Sequence, residues 1–246
     1  MRIDVYDSAA DLADALAERV VRAIIAKPGI NLGLPAGRTP IALYRAIVAA
    51  SRVQDVDWSR VRTFNIDEFV VPASPAGSHD SRGPFERFIH RHLLDLVNVA
   101  PSNIESLNGQ APDLAAECDR YERAIVRAGG LDLLLLGIGA NGHVGFNEPA
   151  ASLHDRTHVA TLAEATRHAN AHLFGDDASV VPQQALTMGI GTIMDAREIV
   201  LVATGSEKAA AVTAMTTGLM APQVPASMLQ PHPNLTVILD RAAARR

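Results

Sequence analysis

Residues 133–149, Leu-Leu-Leu-Leu-Gly-Ile-Gly-Ala-Asn-Gly-His-Val-Gly-Phe-Asn-Glu-Pro, constrain the fold more than any other stretch of the chain. The four leucines are a short, wholly apolar run, the signature of a buried strand. The chain then turns at Gly137 and Gly139, where a backbone without side chains can approach a ligand closely. His143 and Glu148 follow in the loop beyond. In an open α/β sheet, ligands sit at that carboxyl end of the strands. A histidine oriented and charged by an acid is a proton-transfer device. Asn141 adds a polar group beside it.

The same stretch imitates another site. Gly137-Ile-Gly-Ala-Asn-Gly142 satisfies G-x-G-x-x-G, but the dinucleotide fingerprint also needs a helix directly after it and an acid about 20 residues on, at a strand end. Val144 to Pro149 contains Gly145 and Pro149, which break helices. Asp155 falls in a polar stretch. No dinucleotide cofactor is expected.

The rest of the chain alternates between strand and helix patterns. Strands are expected at 3–6, 31–34, 61–66, 131–136, 199–203 and 235–239. Helices are expected from Ser8, as N-cap, to about Ala26, then from Pro40, over 85–96, over 112–128 and after Lys208. This spacing predicts a mostly parallel sheet with helices on both faces. No repeat, linker or second core is apparent, so one domain over residues 1–246 is expected. Residues 72–84 are rich in Pro, Ser and Gly and read as a loop. Residues 154–182 are polar, carry four histidines, and read as part of a mobile flap over about 150–182 with a short helix.

Composition removes several classes of function. The net charge is −5, with no basic tract for nucleic acid. A single cysteine, Cys118, excludes an internal disulfide framework, fits a reducing cytoplasm, and falls in a helical pattern near the core. No Cys/His spacing resembles a metal site. The N-terminus has no signal-peptide pattern, and no apolar run approaches a membrane span.

Three strand ends carry polar residues and should meet in one cleft: the turn after Leu34, Asp67, and the Gly137 loop. Ala36-Gly37-Arg38-Thr39 stands directly before a helix, whose free amides attract phosphate. A plain turn with Thr39 as N-cap is the competing reading. Gly205-Ser-Glu-Lys208 follows the same logic, against a merely solvated lysine. Asp67 and Glu68 are adjacent on an extended segment, so only one can face the cleft. That carboxylate could be a general base, or either could be a cap. Arg167 and His172 could bring charge to an anionic ligand when the flap closes.

Together these residues resemble the glucosamine-6-phosphate deaminase family, within the wider group that includes 6-phosphogluconolactonases. The resemblance covers nearly the whole chain. It runs through residues 32–40, 63–69, 107–109, 137–149, 185–192, 205–208 and 229–233. The pattern Gly-His-x-x-Phe-Asn-Glu-Pro at 142–149 is fairly specific to the deaminases; lactonases share it only as far as Gly-His. The resemblance implies a modified Rossmann-type sheet and a cofactor-free conversion of glucosamine 6-phosphate and water to fructose 6-phosphate and ammonia. It also implies roles. His143 assists ring opening, with Glu148 and Asn141 tuning it. Asp67 moves the C2 proton to C1. Gly37, Arg38, Thr39 and Lys208 hold the phosphate.

The chain departs from the family at several positions. Asn141 stands where well-studied members often have Asp. Arg38 and His172 stand where glycine and arginine are frequent, so Arg38 is expected to replace the missing flap cation. The loop at 78–85 is unusual, which keeps galactosamine 6-phosphate open as substrate. Some hexameric members are activated by N-acetylglucosamine 6-phosphate at a subunit interface. Their basic residues there are His158 and Ala160 here, and the chain ends before the tail that completes their site. No such activation is expected, and the chain could be a monomer or a homo-oligomer. A lactonase and a non-catalytic sugar-phosphate sensor are the competing readings; retained Asp67, His143 and Glu148 argue against a sensor.

Overall fold

Residues 1–73 and 81–245 are described by the structure, a computed structural model. The chain folds in the order β1 (Arg2–Tyr6), α1 (Ala9–Ala26), β2 (Asn31–Leu34), α2 (Thr39–Val53), β3 (Arg62–Asn65), β4 (Asp67–Phe69), α3 (Pro84–His92) and β5 (Ile104–Glu105). It continues with α4 (Leu114–Ala128), β6 (Leu133–Gly137), β7 (His158–Thr161), α5 (Glu164–Asn170), β8 (Gln184–Thr187), α6 (Ile190–Met194), β9 (Ile199–Ala203), α7 (Ala209–Thr217) and β10 (Leu235–Asp240).

Seven strands form one sheet in the order β1-β10-β9-β6-β2-β3-β5, and every pairing in it is parallel. The four leucines explain why β6 lies at its heart. Side chains alternate along a strand, so Leu133 and Leu135 enter one core while Leu134 and Leu136 enter the other. β9 divides in the same way, with Val200 and Val202 on one side and Ile199, Leu201 and Ala203 on the other. Only a sheet covered on both faces accepts strands that are apolar throughout. On one face, α1 presents Leu12, Leu16, Val20 and Ile24, all buried and spaced by four. The Ser8 side chain caps that helix by accepting from the Asp11 amide, as the sequence led us to expect.

β2 and β6 are neighbours, yet the chain runs from β2 outward to β3 on one side and from β6 outward to β9 on the other. The order reverses between them. A crevice opens at such a reversal, at the carboxyl ends of the two strands. The turns that leave β2 and β6 are the two glycine-containing segments singled out above.

Three expectations need correction. The segment read as a flap is partly sheet: β7 pairs antiparallel with β8, and β8 pairs antiparallel with β4. This small sheet has its own apolar cluster, around Phe69, Phe85 and Phe146, so the molecule does carry a further core. The third strand also stops earlier than 66. Asn65 ends β3, Asp67 opens β4 in the second sheet, and the chain changes sheets at Ile66. Within the loop expected at 72–84 and the unusual pattern at 78–85, residues 74–80 lie outside the described residues.

Candidate active site

The crevice between β2 and β6 is a cleft of about 580 Å³. Ala36, Gly37, Arg38 and Thr39 line one side, Gly137, Gly139, Asn141 and His143 another, and Asp67, His172 and Lys208 also face it. Of the residues proposed from sequence, then, nearly all converge.

The first wall follows from the β2–α2 turn. Gly37 has φ of +120°, a conformation L side chains rarely adopt. The Tyr44 hydroxyl, buried inside α2, donates to the Pro35 carbonyl at 2.5 Å and fixes the turn from below. The N-cap of α2 is Arg38 rather than Thr39, and its side chain makes no cap hydrogen bond. Pro40 has no amide hydrogen and the Ile41 amide donates to the Arg38 carbonyl at 3.3 Å, so it is the Thr39 amide that is left for a ligand, at the positive end of the helix. Arg38 is exposed and Lys208 half-buried at the cleft. Burial lowers the Lys208 pKa, and the neighbouring Glu207 charge works the other way.

The second wall is the loop after β6. No helix opens anywhere between 138 and 157, so the dinucleotide geometry is absent. The Gly139 amide donates to the His143 carbonyl at 2.9 Å, folding the loop back on itself. A Cβ at Gly139 would lie 2.2 Å from His143 Cε1, so this position must be glycine for the imidazole to sit where it does. Asn141 joins the loop's polar groups. Its Oδ1 accepts from the His143 amide at 3.2 Å and its Nδ2 donates to Glu148 Oε2 at 2.9 Å. His143 Nδ1 lies 3.6 Å from the same Glu148 oxygen, an ion-pair distance when the ring is protonated but long for a hydrogen bond. That nitrogen is buried and has no hydrogen-bond partner among the described residues. A shift of under an ångström would close the contact.

Glu148 is held from the other side as well. The Thr166 hydroxyl of α5 donates to Oε1 at 2.5 Å, and the Ala163 amide at 3.4 Å. Burial opposes the Glu148 charge, but His143, Thr166 and Asn141 together outweigh it and bring its pKa down to about 2. A carboxylate that is ionised at neutral pH thus stands behind the imidazole.

The rest of Phe146-Asn-Glu is scaffolding. Phe146 stacks on Phe85, ring centroids 5.6 Å apart. Asn147 Nδ2 donates to the carbonyls of Val144 and Met188, both at 2.8 Å, tying the loop to the end of β8.

Asp67 and Glu68 divide as the strand alternation requires. Asp67 faces the cleft, though it is buried. Glu68 turns away and accepts from the amides of Phe69, Phe85 and Glu86 at 2.8, 3.0 and 2.8 Å. It is a cap for α3, supplied from another strand. Burial and then the Glu68 charge push the Asp67 pKa well above the carboxylate range. A buried carboxyl with a raised pKa is a stronger base than an ordinary one.

Arg167 is corrected. It does not line the cleft; its guanidinium donates to the carbonyls of Val181, Ala178 and Ser179. It fastens the segment that leads into β8. His172 does reach the cleft, with Nδ1 engaged by the Ala169 carbonyl and a buried Nε2 without a partner among the described residues. Sequence reasoning missed Thr166 and Tyr44. Thr166 sat in a segment read as polar flap, and Tyr44 looked like any helix core residue.

Among the described residues no group of three or more His, Cys, Asp or Glu side chains is gathered as a metal site. Among the described residues no helix is long and apolar enough to cross a membrane.

Comparison with known proteins agrees with this geometry. Residues 4–238 match the sequence pattern of the family described as glucosamine-6-phosphate isomerases/6-phosphogluconolactonase. The chain is 42% identical to glucosamine-6-phosphate deaminase 2 of Bacillus subtilis, over 100% of this chain and 97% of that one. It is 44% identical to a glucosamine-6-phosphate deaminase of Pseudarthrobacter chlorophenolicus, over 94% of this chain and 85% of that one. A monomeric glucosamine-6-phosphate deaminase of known structure superposes with a TM-score of 0.91 at 37% identity, covering 99% of both chains. A 6-phosphogluconolactonase from Trypanosoma cruzi shares the fold, with a TM-score of 0.74 at 22% identity over 99% of this chain and 95% of that one.

Proposed function

The chain belongs to the family of glucosamine-6-phosphate isomerases and 6-phosphogluconolactonases, and from that premise we propose that it converts glucosamine 6-phosphate and water to fructose 6-phosphate and ammonia. The observation that carries this reading is a single cleft holding both a buried, high-pKa carboxyl, Asp67, and an imidazole, His143, backed by ionised Glu148.

The phosphate sits against the uncapped start of α2, with Arg38, Thr39 and Lys208 around it and His172 opposite. It is a handle that fixes the sugar while the chemistry occurs at the other end. His143 takes the proton of the C1 hydroxyl and delivers one to the ring oxygen, opening the ring to the aldehyde. Asp67 removes the C2 proton, giving an enolamine, and returns a proton to C1. The resulting ketimine adds water at C2 and expels ammonia. Acid, base and water suffice, so no cofactor enters. Glu148 stabilises the positive charge that the imidazole gains on taking the C1 hydroxyl proton, and Asn141 holds both partners in register.

A lactonase needs no carbon acid chemistry, and the Phe146-Asn-Glu148 anchoring serves none of its steps. The substrate and the lone buried Cys118 fit a cytoplasmic enzyme. The test is the reaction run in deuterium oxide. Fructose 6-phosphate should form with solvent deuterium at C1. Hydrolysis of 6-phosphogluconolactone in place of any ketose would overturn the reading.

A further inference from the structure

A second cavity lies away from the cleft, between α2 and the end of α3. It has a volume of about 320 Å³ and is bordered by Arg45, Arg52, Arg91 and His92 over a floor that includes Ile41, Val48 and Leu96. Nothing in the proposed chemistry uses it. We propose that this groove binds a nucleotide, its base on the apolar floor and its phosphates held by the three guanidinium groups.

The first support is charge. The chain is acidic overall, at −5, yet α2 carries no Asp or Glu and places Arg45 and Arg52 on one face. Seven residues apart on a helix, they stand two turns or about 10 Å from each other. Arg91, near the end of α3, faces them across the groove. Among the described residues, none of the three makes an ion pair or a hydrogen bond with a carboxylate. Guanidinium groups gathered without internal partners have their donors free for an external anion, and their geometry suits phosphate.

The second support is the floor. Inorganic phosphate would engage the guanidinium groups and leave Leu96, 44% exposed, and the partly exposed Ile41 wet. A ligand that covers these residues must join an apolar, flat body to its anionic end, and guanidinium planes stack on aromatic rings. Burial, then the Arg91 and Arg45 charges, keep the His92 pKa low, so a bound anion would relieve repulsion there as well. The volume lies at the small end of ligand sites, which favours a mononucleotide over anything larger.

The experiment is calorimetric titration of the intact protein with ADP, pyrophosphate and adenosine at low salt. ADP should bind with a Kd below about 1 mM, with each fragment weaker by at least tenfold. The double variant Arg45→Ala/Arg91→Ala should lose ADP binding by tenfold or more. Both residues are exposed helix positions where alanine is well tolerated, so ammonium release from glucosamine 6-phosphate should stay unchanged. Arg38→Gly should leave ADP binding intact, which separates the groove from the cleft. The proposal is overturned if the double variant binds ADP as tightly as the parent, if pyrophosphate binds as well as ADP, or if ADP does not bind.

Discussion

At the scale of single residues, two neighbouring carboxyls do opposite work. Asp67 and Glu68 share one backbone step, yet one faces substrate space and the other caps α3. Asp67→Asn removes the carboxylate proposed to move the C2 proton, and turnover should fall by about 10²–10⁴-fold with little change in KM. Glu68 titrates at about 7 in the folded chain against an ordinary 4.5, because burial outweighs its three amide donors. The folded state therefore holds an extra proton between those values, and stability falls as pH rises through 7. Glu68→Gln should flatten that fall, seen as urea midpoints that differ less between pH 5 and pH 8 than in the parent. It should also move the acid limb of kcat/KM to lower pH, because the charge that raises the Asp67 pKa is gone. Gly139→Ala is the sharpest probe of His143: its Cβ would occupy the imidazole's place. A displacement of about 1 Å should cost kcat on the order of 10²-fold, measured beside an unchanged far-ultraviolet spectrum.

At the scale of elements, the caps and turns decide where the chemistry sits. Gly83 precedes α3, and a Cβ there would lie 2.4 Å from the Glu68 carboxyl. Gly83→Ala should break the cap and destabilise the fold by about 1–3 kcal/mol, the cost of unsatisfied buried groups, read from denaturant unfolding. The long elements were legible in the sequence because they carry strong periodic signals. β9 has the expected bounds, and α1 starts at the expected cap. The second sheet was not legible. β4 has three residues and β7 and β8 four each, too short for a period to stand out. β7 turns only Ala160 fully inward, so no apolar stripe marked it. The same blindness hid Thr166, whose role comes only from α5 packing over the Gly137 loop. Arg167, one residue on, looked like a ligand because it is cationic, but its partners are backbone carbonyls that no sequence displays.

At the scale of the whole molecule, the site exists because a parallel sheet reverses its order between β2 and β6, and two glycine-containing turns leave at that point. This much was readable from the apolar leucine run and the polar residues at strand ends. The departures from the family bear on regulation. His158 stacks on His154 with ring centroids 4.1 Å apart, and burial lowers its pKa. Ala160 is buried and carries no charge. Neither offers a cation to a phosphate. Rate curves should therefore be hyperbolic, and N-acetylglucosamine 6-phosphate should not activate. A sigmoidal curve made hyperbolic by that compound would contradict this.

The most direct measurement is ammonium release by the purified protein with glucosamine 6-phosphate and, separately, galactosamine 6-phosphate, beside the Asp67→Asn variant. Release equimolar with fructose 6-phosphate from the gluco sugar, and its loss in the variant, is the expected result. No ammonium from glucosamine 6-phosphate, or full activity without the Asp67 carboxylate, would contradict the account.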